Sequence, residues 1–99
     1  MKTFKLASAL GRNIKKYPIT SFSIEEEKNK TSLFWCKIGK DNIKITGEVE
    51  GNHTHYIISK DSPFTDEEKK MVEDFVWDLK CDLEQLSNRY NYSHDLEWR

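Results

Sequence analysis

Hydrophobic and polar residues follow different rhythms along this chain, and each rhythm predicts an element. Phe4, Ala7, Leu10, Ile14 and Tyr17 recur at steps of three or four residues, the repeat of one helix face. Lys5, Arg12, Lys15 and Lys16 lie mostly off that face, so residues 1–17 read as a basic amphipathic helix. Pro18 cannot extend the helical hydrogen-bond ladder and biases Tyr17 toward extended geometry, which ends the helix near Lys16.

From Ile19 the period falls to two. Ile19 to Ile24 alternates bulky and small polar residues before Glu25-Glu26-Glu27. Thr31 to Ile38 follows, with Leu33 and Trp35 pointing one way and Phe34, Cys36 and Ile38 the other, a pattern that predicts a central strand covered at least partly on both sides. After the turn residues 39–42, Ile43, Ile45 and Val49 alternate with Lys44, Thr46, Glu48 and Glu50. Gly47 interrupts that dry face, which points to a bulge or to a helix side chain lying close to the backbone. Gly51-Asn52 makes a further turn, and a fourth strand runs from His53 to Ser59. Residues 19–60 thus read as an antiparallel meander.

Thr65-Asp66-Glu67-Glu68 fits a helix-initiating capping box, with Thr65 as N-cap and Glu68 three residues on. Val72, Phe75, Val76, Leu79, Leu83, Leu86 and Tyr90 continue at helical spacing, giving a long helix over residues 65–90 that packs across the sheet. Its outer surface is expected to carry Asp74, Asp78 and Asp82, four residues apart. The tail, residues 91–99, shows no helix or strand pattern. The predicted fold class is α+β: an N-terminal helix, a four-stranded antiparallel β-meander and a long C-terminal helix packed on the sheet, in a single domain over residues 1–99.

Composition agrees with a folded chain, because 33% charged residues accompanied by 12% aromatics is more apolar than disorder tolerates. The N-terminus is interrupted by Lys5, Ser8 and Arg12, and no stretch approaches the roughly 20 apolar residues of a membrane span, so a cytoplasmic location and no membrane are expected. Cys36 and Cys81 are then expected as reduced thiols. The net charge of −1 conceals an asymmetry: residues 1–60 hold 11 Lys and Arg against 6 Asp and Glu, whereas residues 61–99 hold 5 against 11.

Catalytic signatures are missing. No nucleophile elbow or phosphate-binding loop occurs, the single lysine beside each cysteine, Lys37 and Lys80, does not make the electropositive neighbourhood that activates a thiol, and the chain is expected not to be an enzyme and to need no cofactor. His53 and His55 share one strand face, but only His94 and scattered carboxylates could complete a metal site, so polar edge-strand histidines are the expectation and no metal is assigned. The helix–strands–helix order invites comparison with the double-stranded RNA-binding domain, whose second helix opens with a basic cluster. Here that helix opens with Thr65-Asp66-Glu67-Glu68, which repels phosphate, and the family is not assigned.

These features favour a non-catalytic protein-binding module: a small inhibitor or modulator, of phage, mobile-element or immunity type. Its partner is expected to be a basic nucleic-acid-processing protein, held through Asp74, Trp77, Asp78, Asp82, Tyr92 and Trp98, with the acidic helix imitating nucleic acid. The alternative placement has Trp77 widening the buried stripe and the tail folding back over the sheet. The competing function is direct nucleic-acid binding through Lys5, Arg12, Lys15 and Lys16. A homodimer through an exposed edge strand or the first helix is compatible with either.

Overall fold

The computed structural model of the chain describes residues 2–28, 31–51, 53–84 and 93–99, with side chains over 6–27, 31–51, 53–82 and 93–99. Helix α1 (Lys2–Asn13) runs into a short 3-10 turn (Ile14–Lys16). Tyr17 is already extended, at φ −133° and ψ 162°, as Pro18 requires. Strands β1 (Ile19–Lys28), β2 (Thr31–Ile38), β3 (Asp41–Glu50) and β4 (His53–Ser59) follow, then helix α2 (Asp66–Glu84) and strand β5 (Ser93–Trp98). The end of the predicted second helix, residues 85–90, lies outside the described residues.

The fold is α+β as expected, but the sheet has five strands and is mixed. Its order is β1-β2-β3-β4-β5. The first three pairings are antiparallel, whereas β5 lies parallel to β4. Parallel neighbours need a long crossover, and α2 supplies it. The tail contains a strand after all: His94, Leu96 and Trp98 face the helices while Ser93, Asp95 and Glu97 face away, a two-residue alternation with too few apolar positions to stand out.

Both helices pack on one face of the sheet. The core joins Leu6, Ala9 and Leu10 of α1, Phe34, Cys36, Ile43, Ile45, Tyr56 and Ile58 of the sheet, and Val72, Phe75, Val76 and Leu79 of α2. The buried arc of α1 is therefore rotated from the expected stripe toward Leu6, Ala9 and Asn13, because this helix touches α2 as well as the sheet. The capping box forms as its sequence predicts. Thr65 Oγ1 accepts from the Glu68 amide at 3.1 Å, and a Glu68 carboxylate oxygen accepts from the Thr65 amide at 2.9 Å.

Two expectations about the strands change. Gly47 makes no bulge, since its pairing runs unbroken through Ser32 and Tyr56. A Cβ there would meet the Tyr56 ring at 3.1 Å and Ser32 Oγ at 3.2 Å, so the close neighbours come from adjacent strands and not from a helix. Among the described residues, helices cover only one side of strand β2. Phe34 and Cys36 are buried beneath the helices, while Leu33 and Trp35 remain half-buried on the other face.

Candidate interaction surfaces

The two oppositely charged helices meet each other. The Asp82 carboxylate accepts from Arg12 Nε at 3.0 Å and Nη2 at 2.6 Å, and from Asn13 Nδ2 at 2.9 Å. Asn13 is buried, and its amide nitrogen also donates to the Ala9 carbonyl at 2.8 Å. Asp78 accepts the Tyr17 hydroxyl, whose ring stands edge-on to Phe75 at 5.6 Å. The hydrogen bond from Arg12 foremost holds the Asp82 carboxyl below its ordinary range. Burial, then the bond to Asp78, push the Tyr17 phenol up.

These contacts reassign several residues chosen from the sequence. Asp78 and Asp82 turn toward α1 and the Tyr17 that follows it, and Arg12 of α1 reaches across to Asp82, whereas the outer face of α2 was expected to carry both carboxylates. Asp74 is exposed, as are Lys15 and Lys16 of the basic set. Trp77 is half-buried with its ring 4.8 Å from that of His94, which places it over β5. Trp98, also half-buried, stands edge-on to Phe64 at 4.9 Å and ties the C-terminal strand to the segment before α2. Tyr92 and the Lys5 side chain lie outside the described residues.

What the helices leave uncovered is the opposite face of the sheet. Strand register aligns Glu26, Leu33, Thr46, Ile57 and Glu97 in one row across all five strands, an apolar centre between two carboxylates. The adjoining row places Trp35 between Ser23 and Lys44, with the Lys44 ammonium 5.8 Å from the ring centroid. Glu25, at a register shift in β1, accepts from Trp35 Nε1 at 2.7 Å. Leu33, Trp35 and Ile57 are all half-buried. Alternation and register assign Glu25, Glu26, Glu48, Glu50, Asp95 and Glu97 to this face, against the cations Lys37, Lys44 and Arg99 among the described side chains. Apolar residues on both faces of β2 are the sequence signal for this patch. They predict a second covering layer, which is not found among the described residues.

His53 and His55 belong to the same open face. They do not lie on an edge, because β5 pairs beside β4. Asp95 receives both, with one oxygen on His53 Nε2 and the other on His55 Nδ1 at 2.5 Å. His53 Nδ1 meets Ser93 Oγ at 2.7 Å, and His55 Nε2 lies 3.5 Å from Glu97. These bonds, His53 first, hold the Asp95 carboxyl below its ordinary range. His94 points to the helix side, away from the pair, and burial lowers its tendency to take a proton. No group of three or more histidine, cysteine or acidic side chains among the described residues is placed to hold a metal ion.

Cys36 and Cys81 are both free thiols. Cys36 is buried in the core, and burial pushes its thiol up to about 12. No helix among the described residues is long and apolar enough to cross a membrane. Comparison with protein-family models, curated proteins and solved structures finds no match to this chain.

Proposed function

We propose that this chain is a non-catalytic protein-binding module that docks a basic partner on the open face of its sheet. The observation that carries this reading is the row Glu26-Leu33-Thr46-Ile57-Glu97 beside Trp35, where half-buried apolar side chains sit within an acidic border and neither α1 nor α2 covers them. Interfaces of this kind combine an apolar anchor, which excludes water, with a charged rim that selects and steers the partner. Among the described side chains, six carboxylates against three cations favour a lysine- and arginine-rich surface. A nucleic-acid-processing protein presents such a surface, so the module serves as its inhibitor or modulator. The meeting place in this reading is the cytoplasm, where free thiols persist.

The site moves from α2 to the sheet because Asp78 and Asp82 turn inward to Tyr17, Arg12 and Asn13, whereas the open face sets its carboxylates, Asp95 on the histidine pair and Glu97 on Arg99 among them, beside half-buried Leu33, Trp35 and Ile57. The test begins with a partner captured by cross-linking in host extract and then purified. Leu33→Lys with Ile57→Lys is expected to weaken its binding by about tenfold or more, whereas Glu73→Gln with Asp74→Asn leaves binding within about twofold. The reverse ranking would return the contact to α2. Direct retardation of DNA or RNA by the chain at low salt, abolished by replacing Lys15 and Lys16, would support the nucleic-acid reading instead.

A further inference from the structure

We propose that His55 is a proton switch for the open face: gaining a proton, it clamps β5 to β4 and withdraws negative charge from the surface that holds the cationic partner. The partner is then held at neutral to alkaline pH and released as pH falls. This rests on the docking reading above.

The geometry distinguishes the two imidazoles that share Asp95. The two contacts of His53 can both be met by one tautomer of the neutral ring, Nε2–H donating to the Asp95 carboxylate and Nδ1 accepting from the Ser93 hydroxyl. His55 has an acidic oxygen at each ring nitrogen, Asp95 on Nδ1 and Glu97 near Nε2, and only the doubly protonated ring can donate to both. Glu48 stands directly opposite on β3, and Glu50 opposite His53, so the charged groups directly opposite the pair on β3 are carboxylates, while on the β5 side Asp95 and Glu97 face it and Arg99 holds the other oxygen of Glu97. His94, the nearest further imidazole, lies on the helix side. The bond to Asp95, followed by the charges of Asp95, Glu97 and Glu48, raises the His55 imidazole above its ordinary 6.5, with desolvation opposing.

The sign follows from linkage. A histidine raised in the folded state contributes stability that is complete below 6.5 and is lost as pH rises through its raised value. The β4–β5 clamp is therefore tightest in acid. The same proton removes one unit of negative charge from the docking face, so affinity for a cation moves the opposite way.

Amide-resolved NMR titration with decalysine at low salt, at pH 5.5 and pH 8.5, tests this directly. Wild-type protein is expected to bind about two- to fivefold more weakly at pH 5.5, with shifts at Leu33, Trp35 and Ile57, and His55→Gln is expected to lower that ratio, an unchanged ratio overturning the assignment to His55. In peptide-free protein, exchange of the β5 amides is expected to slow relative to those of β2 as pH falls, after correction for intrinsic exchange rates. Open-face binding with the same affinity at both pH values overturns the switch and leaves the docking reading standing. Absence of open-face shifts at either pH overturns both. Should His55→Gln fail to fold, the wild-type imidazole signals decide: His55 titrating at or below 6.5 refutes the proposal.

Discussion

Removing the two carboxylates that α2 directs at α1 gives a sharp test of the helix pairing. In the double variant Asp78→Ala with Asp82→Ala, the half-buried Tyr17 hydroxyl loses its acceptor and the buried Asn13 amide keeps only its bond to Ala9. A part-buried donor stranded in this way costs about 1–1.5 kcal/mol, so the two together cost about 2–3 kcal/mol. Nothing is added for the exposed Arg12 side of the pair, which water screens. For a domain of this size each kcal/mol lowers Tm by about 4–8 °C, which makes the expected fall roughly 10–20 °C. Urea unfolding followed by circular dichroism reads the free energy, and hydrogen exchange at Ala9 and Leu10 reports whether α1 loosens first. Asp74→Ala, exposed on the same helix, is the control and is expected to stay within about 0.5 kcal/mol. A double variant as stable as wild type, with α1 equally protected, would refute the pairing and return Asp78 and Asp82 to the solvent surface.

Three further outcomes follow from the fold. Thr65→Ala removes the acceptor for the Glu68 amide and is expected to lower stability by about 1 kcal/mol in denaturant unfolding. Gly47→Val drives methyl groups toward the Tyr56 ring and is expected to cost about 1–3 kcal/mol, with the companion change Tyr56→Leu restoring part of it. Because Asp82 is held below its ordinary 3.8, its contribution is present above that value and lost as pH falls through the lowered one; the stability gap between wild type and Asp82→Ala should therefore narrow in acid unfolding as pH falls below 3.8.

Local rules made much of this fold legible. Pro18 ended the first helix where Tyr17 turns extended, and Thr65 and Glu68 formed the capping box their spacing requires, since both depend on neighbours within a few residues. Period-two patterning placed the four meander strands because adjacent antiparallel strands are joined by short turns. Strand β5 escaped that reading although Leu96 and Trp98 alternate with Asp95 and Glu97. Its pairing with β4 depends on α2 carrying the chain back across the sheet, a contact between segments about 40 residues apart, which no short window of sequence contains.

The charge asymmetry shows the same division. Composition identified a basic first half and an acidic second half, and helical spacing placed Arg12 and Asp82 on their respective helices. Periodicity could not say which way those helix faces would turn. Packing turned them toward each other, because burying Asn13 and Tyr17 between the helices demands acceptors and Asp82 and Asp78 are the ones within reach. The same packing put both helices on one side of the sheet, leaving Leu33, Trp35 and Ile57 on the other. Which residues are apolar is written in each strand; whether a strand face is core or surface depends on where the rest of the chain comes to lie.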